Sequence, residues 1–415
     1  MPSRTPETNE TRLMRTALHL RGLGGVLAAE PAWAFSDDSQ ILCEEGRIVA
    51  IGDATEARVR SLRERNITVR VLNGDGLVAF PGLIDGHVHP VAGSTSVVPA
   101  GSDWTHCYLN AGVTACVSAG ELTVPGFSAR SATPDAVTRL ATTSAWCFGN
   151  IAAPPRVFAG TLLAVPGLEE RHIAEVAAAG GRCLKYIYYP FGQDGWREEV
   201  ERYRHWARAH GLVTKLHAGG TSFQGDSVAA TGEIVIEVAP DLYAHANGGP
   251  IPLSDTETMS VIEETNAFIE VIPGGNLRLL GRIARALHER GELDRLTVGT
   301  DSPGGNGIVP RGLLQAIVAI SALGGVDAAT ALRCGTENVA RSHRIPAGAI
   351  RTGELANILL AGPVRGSSHK TISAAIESGE LIGIGAVIYE GDVVALPARF
   401  TPPPEALPTC AEATR

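Results

Sequence analysis

Six polar residues, each at the end of or within a short apolar segment, could bind metal ions or move protons. They are His87, His89, Lys185, His217, His245 and Asp301. Neutral imidazole is the commonest metal ligand in proteins, and carboxylates complete many zinc sites. The same groups carry out general acid–base chemistry. The set therefore indicates metal-assisted hydrolysis, in which bound metal ions activate water.

The pair His87-x-His89 alone is weak evidence for a metal site, because two polar residues at a strand end have many explanations. In a strand, alternate side chains share a face, so both imidazoles point the same way. A single strand lysine such as Lys185 more often extends to the surface. The repeated placement of polar residues at strand ends, mostly before Gly-containing loops, favours the metal site over these ordinary readings.

The elements that must position these residues alternate between strand-like and helix-like segments from residue 81 to 350. Trp196–Gly211 and Leu277–Gly291, for example, have the apolar spacing of amphipathic helices that stop at Gly. Repeated strand–helix units predict an α/β fold, here a (β/α)8 TIM barrel, which takes about 250 residues. Catalytic groups of such barrels lie at the carboxyl ends of the strands, as these six would.

Both ends of the chain have β character. Residues 17–80 read as short strands, and residues 351–415 as a strand and a hairpin. We expect these two pieces to pair into one small β-sandwich domain beside the barrel of residues 81–350. Residues 1–16 read as a flexible tail.

Composition excludes several function classes. The net charge is −9 and no Lys/Arg-rich run occurs, so nucleic acid is not an expected partner. No apolar stretch is long enough to cross a membrane, and the first residues lack a signal-peptide core. The seven cysteines are scattered, which is typical of a reducing compartment. We expect a soluble, cytoplasmic protein.

The six residues together resemble the binuclear metal branch of the amidohydrolase superfamily, and PGLIDGHVHP resembles its opening motif. The resemblance covers almost the whole chain. At finer grain the chain is similar to the enamidase branch, which opens 6-oxo-1,4,5,6-tetrahydronicotinate. The stretches that carry this similarity are SAGELTVPG, HAGGTS, HANGGP and DSPGGNGIVPRGLL.

The resemblance implies a role for each ligand. His87, His89 and Asp301 would bind the more buried of two divalent ions, zinc or alternatively iron or manganese. His217 and His245 would bind the more exposed ion. Lys185, carboxylated on Nζ, would bridge the two ions. An unmodified Lys185 would instead leave a site for one metal.

The resemblance also implies the reaction. A hydroxide bridging the metals would attack the carbonyl of a cyclic amide or enamide, and Asp301 would act as the proton shuttle. An enamide would yield an enamine, which loses ammonia and leaves an aldehyde. The family further implies a homo-oligomer, a tetramer or a dimer, acting on a small-molecule substrate.

Residues near the ligands are candidates for substrate binding. The candidates are Tyr188, Thr221, Ser222, Asn247 and Arg311. Arg311 could pair with a substrate carboxylate through its two-donor fork. Trp104 and Glu121 could line the same pocket. For each the ordinary alternative stays open: loop hydroxyls bond their own backbone, and Arg311 could be a surface or interface residue.

Two other readings remain. The enzyme could be a hydrolase or deaminase of another cyclic amide, imide, carbamate or amino-heterocycle, since one scaffold hosts many chemistries. A non-catalytic binding or assembly relative is the other class. Such chains lose ligands, whereas all six are present here.

Overall fold

The computed structural model describes residues 16–29, 33–90, 104–121, 132–221, 229–303 and 307–414. The strands within these ranges are β1 (Thr16–Arg21), β2 (Gly25–Ala28), β3 (Ala34–Ser36), β4 (Gln40–Glu44), β5 (Arg47–Ile51), β6 (Thr68–Asn73), β7 (Val78–Pro81), β8 (Leu83–Val88), β9 (Val113–Ser118), β10 (Arg156–Phe158), β11 (Leu162–Leu163), β12 (Cys183–Tyr186), β13 (Val213–His217), β14 (Leu242–Ala244), β15 (Phe268–Val271), β16 (Leu296–Val298), β17 (Ile358–Pro363), β18 (Ile382–Tyr389), β19 (Asp392–Ala395) and β20 (Thr409–Thr414).

The helices in the same ranges are α1 (Ala54–Glu64), α2 (Trp104–Leu109), α3 (Pro134–Gly149), α4 (Glu170–Ala178), α5 (Trp196–Ala209), α6 (Gly232–Val238), α7 (Asp255–Glu264), α8 (Leu277–Glu289), α9 (Gly312–Gly324), α10 (Ala328–Cys334), α11 (Glu337–His343) and α12 (Ile372–Glu377). None of the helices in the described ranges is long and apolar enough to span a membrane.

The middle of the chain forms two parallel sheets. One has the order β10-β9-β8, and the other runs from β11 to β16 in consecutive order. A β-bridge joins Val88 on β8 to Ser302, which follows β16, so the last parallel strand lies beside the first. Consecutive parallel strands linked by helices place all their carboxyl ends on one face. The protein is thus an α/β protein whose strand ends share one face.

Two further sheets combine strands from both ends of the chain. Their orders are β20-β6-β1-β4-β5 and β19-β18-β17-β7-β2-β3. One buried apolar cluster takes side chains from both sheets, among them Leu20, Ile41, Ile358 and Leu360. The two sheets therefore pack against each other through a shared core, which is where the burial of apolar surface stabilises them.

Local sequence explains the helices that carry the connections. In α8 the apolar side chains recur with helical spacing, and Leu280, Ile283 and Leu287 are buried. The Asn276 side chain caps the helix by accepting from the backbone N–H of Leu279 (3.1 Å). The helix ends before Gly291, whose φ of 69° favours glycine. The predicted helix over this segment is confirmed.

The interpretation of residues 17–80 as strands alone is wrong, because α1 lies within them. Its buried residues Thr55, Val59 and Leu62 are three and four positions apart, which is the period of a helix face. Abundant charged residues between them hide this face in the sequence. Val59 and Leu62 pack into a small cluster with Leu42 and Val69 of the sheet.

Candidate metal centre

The ends of the parallel strands bring the six candidate ligands to one face. His87 lies in β8 with His89 just beyond it, Lys185 lies in β12, and His217 ends β13. The remaining two lie just beyond their strands: His245 is the first residue after β14, and Asp301 follows Gly299 and Thr300 after β16. All six are buried.

The first donor group consists of His87, His89 and Asp301. The carboxylate atom Oδ1 of Asp301 lies 3.0 Å from His89 Nε2 and 3.5 Å from His87 Nε2. One donor atom of each residue lies within 4.8 Å of the others. A tetrahedral metal with bonds of about 2.1 Å has ligands about 3.4 Å apart. The spacing of this group therefore fits one metal ion.

Hydrogen bonds on the far side of each ring orient the first two histidines. His89 Nδ1 lies 2.7 Å from the carbonyl oxygen of Gly120, so this nitrogen is the donor. His87 Nδ1 is hydrogen-bonded to Oε1 of Glu270, a buried acid on β15. Because Nδ1 carries the proton in both rings, the lone pair of Nε2 faces Asp301. His87 Nε2 is buried and has no hydrogen-bond partner among the residues that the structure describes, as expected of a nitrogen placed for a metal.

The second donor group pairs His217 with His245. His217 Nδ1 lies 3.0 Å from His245 Nε2, and His217 Nε2 lies 2.9 Å from the carbonyl oxygen of Gly220. The ring centroids of His87 and His245 are 5.2 Å apart. The two donor groups are therefore neighbours, with the spacing expected of two adjacent metal sites.

Lys185 is a fully buried amine whose Nζ makes no hydrogen bond to any of the described residues. Its register partner across β12 and β13 is Lys215, a second buried lysine. Burial, followed by the charge of Lys215, lowers the pKa of Lys185 from 10.5 to about 7. An isolated ammonium in the interior is costly, so this amine is poised to be neutral or to be modified. The bridging role that the family resemblance implies for Lys185 stays a prediction.

Burial also keeps three of the histidines neutral. It lowers the pKa of His217 to about 4, and it lowers the pKa values of His87 and His245 well below their usual value. Burial raises the pKa of Asp301, but its contact with His89 Nε2 and the nearby amine of Lys185 outweigh the effect of burial, so that the pKa of Asp301 is below normal. Neutral imidazoles beside an ionised carboxylate form the donor set that a divalent cation requires.

The backbone is strained at two of the ligands. His245 has a φ of 36° and Asp301 a φ of 57°, in the left-handed region that only glycine adopts readily. The N–H of Asp301 donates to the carbonyl oxygen of His87 (2.9 Å), which holds the turn. At Gly299 a Cβ would lie 2.4 Å from the Cβ of His87, so glycine is required where β16 passes β8. Strain of this kind is typical of functional sites.

The candidate substrate residues are less closely grouped. Asn247 is buried. Its side-chain amide accepts from the backbone N–H of Ile272 (2.8 Å) and donates to the carbonyl oxygen of Ile272 (2.9 Å). These two bonds satisfy the buried amide without a substrate. Arg311 is exposed and lines a surface cavity of about 500 Å³ with Arg399 and Phe400. Tyr188 is half-buried just beyond β12, and Thr221 is exposed.

Ser222 lies outside the described residues. The two further candidates for lining the pocket, Trp104 and Glu121, are both buried. Glu121 accepts from the hydroxyl of Ser118 and the backbone N–H of Gly160, each at 2.8 Å. Its bonds therefore join the ends of neighbouring strands. These contacts leave the substrate roles as predictions.

Three buried charged residues beside the ligands were not singled out from sequence: Asp85, Lys215 and Glu270. Asp85 accepts from the backbone N–H groups of His87 (3.1 Å) and Thr300 (3.0 Å), and burial raises its pKa to about 7. The sequence contained a signal for two of these three residues. Asp85 and Lys215 each stand two positions before a ligand, and alternate residues of a strand share a face.

Comparison with known proteins now defines the class. The amidohydrolase family model matches residues 78–382, so the chain belongs to the amidohydrolase family. It is 28% identical over 385 residues to an enamidase of Eubacterium barkeri, across 92% of this chain and 97% of that protein. A crystal structure of enamidase has a TM-score of 0.83 and 27% identity, and the match covers 95% of this chain and 100% of that one.

A more distant structure shares the fold alone. The β-aspartyl dipeptidase of Fervidobacterium islandicum AW-1 has a TM-score of 0.61 at 16% identity, across 93% of this chain and 97% of that one. Family and enamidase similarity together make this protein an enzyme, a hydrolase of carbon–nitrogen bonds other than peptide bonds.

Proposed function

We propose that the enzyme hydrolyses the carbon–nitrogen bond of a cyclic amide or enamide, in the manner of an enamidase, with two divalent metal ions. The observation that carries this proposal is the pair of adjacent donor groups, His87–His89–Asp301 and His217–His245. They share a buried site with the amine of Lys185, which has no hydrogen-bond partner within the described ranges. Similarity to enamidases over almost the full length supports the substrate class.

Zinc is the proposed metal, because imidazole and carboxylate ligands at this spacing suit it. His87, His89 and Asp301 would hold one ion, and His217 and His245 the other. Lys185, carboxylated on Nζ, would supply oxygen ligands to both. When bound, the ions activate water and polarise the substrate carbonyl.

Asp301 performs the proton transfers in this proposal. Its low pKa keeps it ionised at neutral pH, so it can accept a proton from the attacking water. It then delivers that proton to the leaving nitrogen as the carbon–nitrogen bond breaks. An enamide substrate releases an enamine, whose tautomer, an imine, takes up a second water and yields ammonia and an aldehyde.

The proposal extends to architecture and assembly. We propose that the two parallel sheets close into a (β/α)8 barrel over residues 81–350, and that residues 17–80 and 351–415 form a β-sandwich. The bridge from Val88 to Ser302 and the shared core of the outer sheets support this. A homo-oligomer and a cytoplasmic location follow from the family resemblance and from cysteines that form no disulfide.

Lys185 gives the site a pH and bicarbonate dependence. Only a neutral amine reacts with CO2, and the neutral fraction rises as the pH increases through a pKa of about 7. At constant CO2 and zinc, reactivation of the apo-enzyme should be about tenfold faster at pH 8 than at pH 6. His217 is already neutral at pH 6, because its pKa is about 4.

Stopped assays of regained activity measure this rate. A lysine with an ordinary pKa would give a rate that is still rising steeply above pH 9. A rate that does not respond to CO2 at any pH would contradict carboxylation of Lys185.

The substrate class is tested with a panel. The zinc-loaded enzyme is incubated with 6-oxo-1,4,5,6-tetrahydronicotinate, saturated lactams, cyclic imides and amino-heterocycles, and ammonia and aldehyde are both measured. We expect both products from the enamide, at a rate above the rest of the panel. Turnover confined to another member would retain the hydrolase and overturn the enamide assignment.

A further inference from the structure

Glu270 contacts one residue of each proposed metal site without being a candidate ligand of either. It is fully buried in β15. Its Oε1 accepts from His87 Nδ1, in the first donor group. The same oxygen accepts from the backbone N–H of His245 (3.2 Å), in the second donor group. One carboxylate oxygen thus contacts a residue of each site.

The charge of Glu270 is balanced from the opposite side. Its Oε2 lies 3.9 Å from Nζ of Lys215, and both side chains are fully buried. Lys215 Nζ also donates to the carbonyl oxygen of Gly86 (2.6 Å), the residue immediately before His87. The pair Glu270–Lys215 therefore fixes both the ring of His87 and the backbone beside it.

Glu270 also holds the strained backbone at His245. The left-handed conformation there, with φ of 36°, needs local bonds to persist. The side chain of Glu270 binds the N–H of His245, and its own carbonyl oxygen accepts from the N–H of Ala246 (2.6 Å). Two successive N–H groups are thus held by one residue, which sets the direction of the His245 ring.

We infer that Glu270, with Lys215 as its counter-ion, is a positioning residue shared by both metal sites, aligning His87 for one ion and His245 for the other. This inference rests on the proposed metal-dependent function. A carboxylate that accepts from the far nitrogen of a ligating imidazole fixes its tautomer and raises its basicity, and losing such a partner costs about 10- to 100-fold in metal affinity.

The test compares Co2+ binding by the apo forms of wild type and Glu270→Gln, followed by visible absorption. The glutamine keeps the size of the side chain but removes the carboxylate. We expect affinity for both Co2+ equivalents to fall about 10- to 100-fold, with a changed spectrum. The matched control is Asp241→Asn: this carboxylate accepts from the backbone N–H of Thr214 (2.8 Å) near the opposite end of β13. It should bind Co2+ like wild type.

A double variant separates positioning from charge balance. Glu270→Gln alone leaves Lys215 without its counter-ion, so it is also expected to lower the melting temperature of the apo-enzyme. Glu270→Gln with Lys215→Met removes both charges and should recover much of that stability while Co2+ affinity stays low. Wild-type affinity in either variant would overturn the inference. Absence of Co2+ binding by the wild type would overturn the proposed function as well.

Discussion

Asp301→Asn is expected to lower kcat by at least about 10³-fold while the protein remains folded, because the amide cannot carry the proton. Asparagine has the size of aspartate, and the backbone bond from residue 301 to His87 does not involve the side chain. The first donor group also loses its only anion, so zinc affinity should fall. Steady-state kinetics under saturating zinc, together with the bound zinc measured on the same samples, checks both effects.

The control for this variant is Asp392→Asn, an exposed carboxylate in the outer sheets that pairs with Arg70. It should keep the wild-type kcat. A wild-type kcat in Asp301→Asn with zinc bound would remove the proton transfer from this residue. A rise in KM with kcat unchanged would assign Asp301 to substrate binding instead.

The candidate ligands could be singled out from sequence because each lies in or just after an apolar strand. His217, His245 and Asp301 come where a buried run gives way to a polar residue and, mostly, a Gly-containing loop. Parallel strands linked by helices must bring such ends to one face. The six residues can therefore be expected at one face without any knowledge of their distances, while their roles as metal ligands stay predictions.

The residues that orient the ligands could not be predicted in the same way. Glu270 lies 183 positions from His87, and their contact depends on which strands become neighbours. The sequence shows only an acid inside an apolar segment. Asn247 lies two residues after His245, a position that suggests substrate binding, and in the structure its side-chain amide bonds the backbone of Ile272, so its substrate role stays a prediction. Sequence position alone does not show which bonds a buried amide makes.

The two buried lysines differ in a way that only the structure reveals. Lys185 and Lys215 face each other in register on adjacent strands. Lys215 Nζ is bonded to Gly86 and paired with Glu270, whereas Lys185 Nζ has no hydrogen-bond partner in the part of the chain that the structure describes. The amine of Lys185 is therefore the one that can take up CO2 without breaking existing bonds.

Lys185→Ala is accordingly expected to lower activity by about 100-fold or more, since the proposed bridging oxygens are lost. The substitution leaves a cavity that a short carboxylate can fill. Acetate or propionate should restore part of the activity and the second zinc equivalent, because a carboxylate has the same two oxygens as the carboxylated amine.

Lys215→Ala is the matched comparison, with the same side chain removed from the neighbouring strand. Its loss of activity should not respond to these acids, because Lys215 is a cation that balances Glu270 rather than a ligand. Kinetics and bound zinc are measured for both variants over a range of acetate concentrations. Full zinc content in Lys185→Ala without added acid, together with no rescue, would contradict a bridging lysine. Equal rescue of both variants would mean that the acids fill a cavity without replacing a ligand.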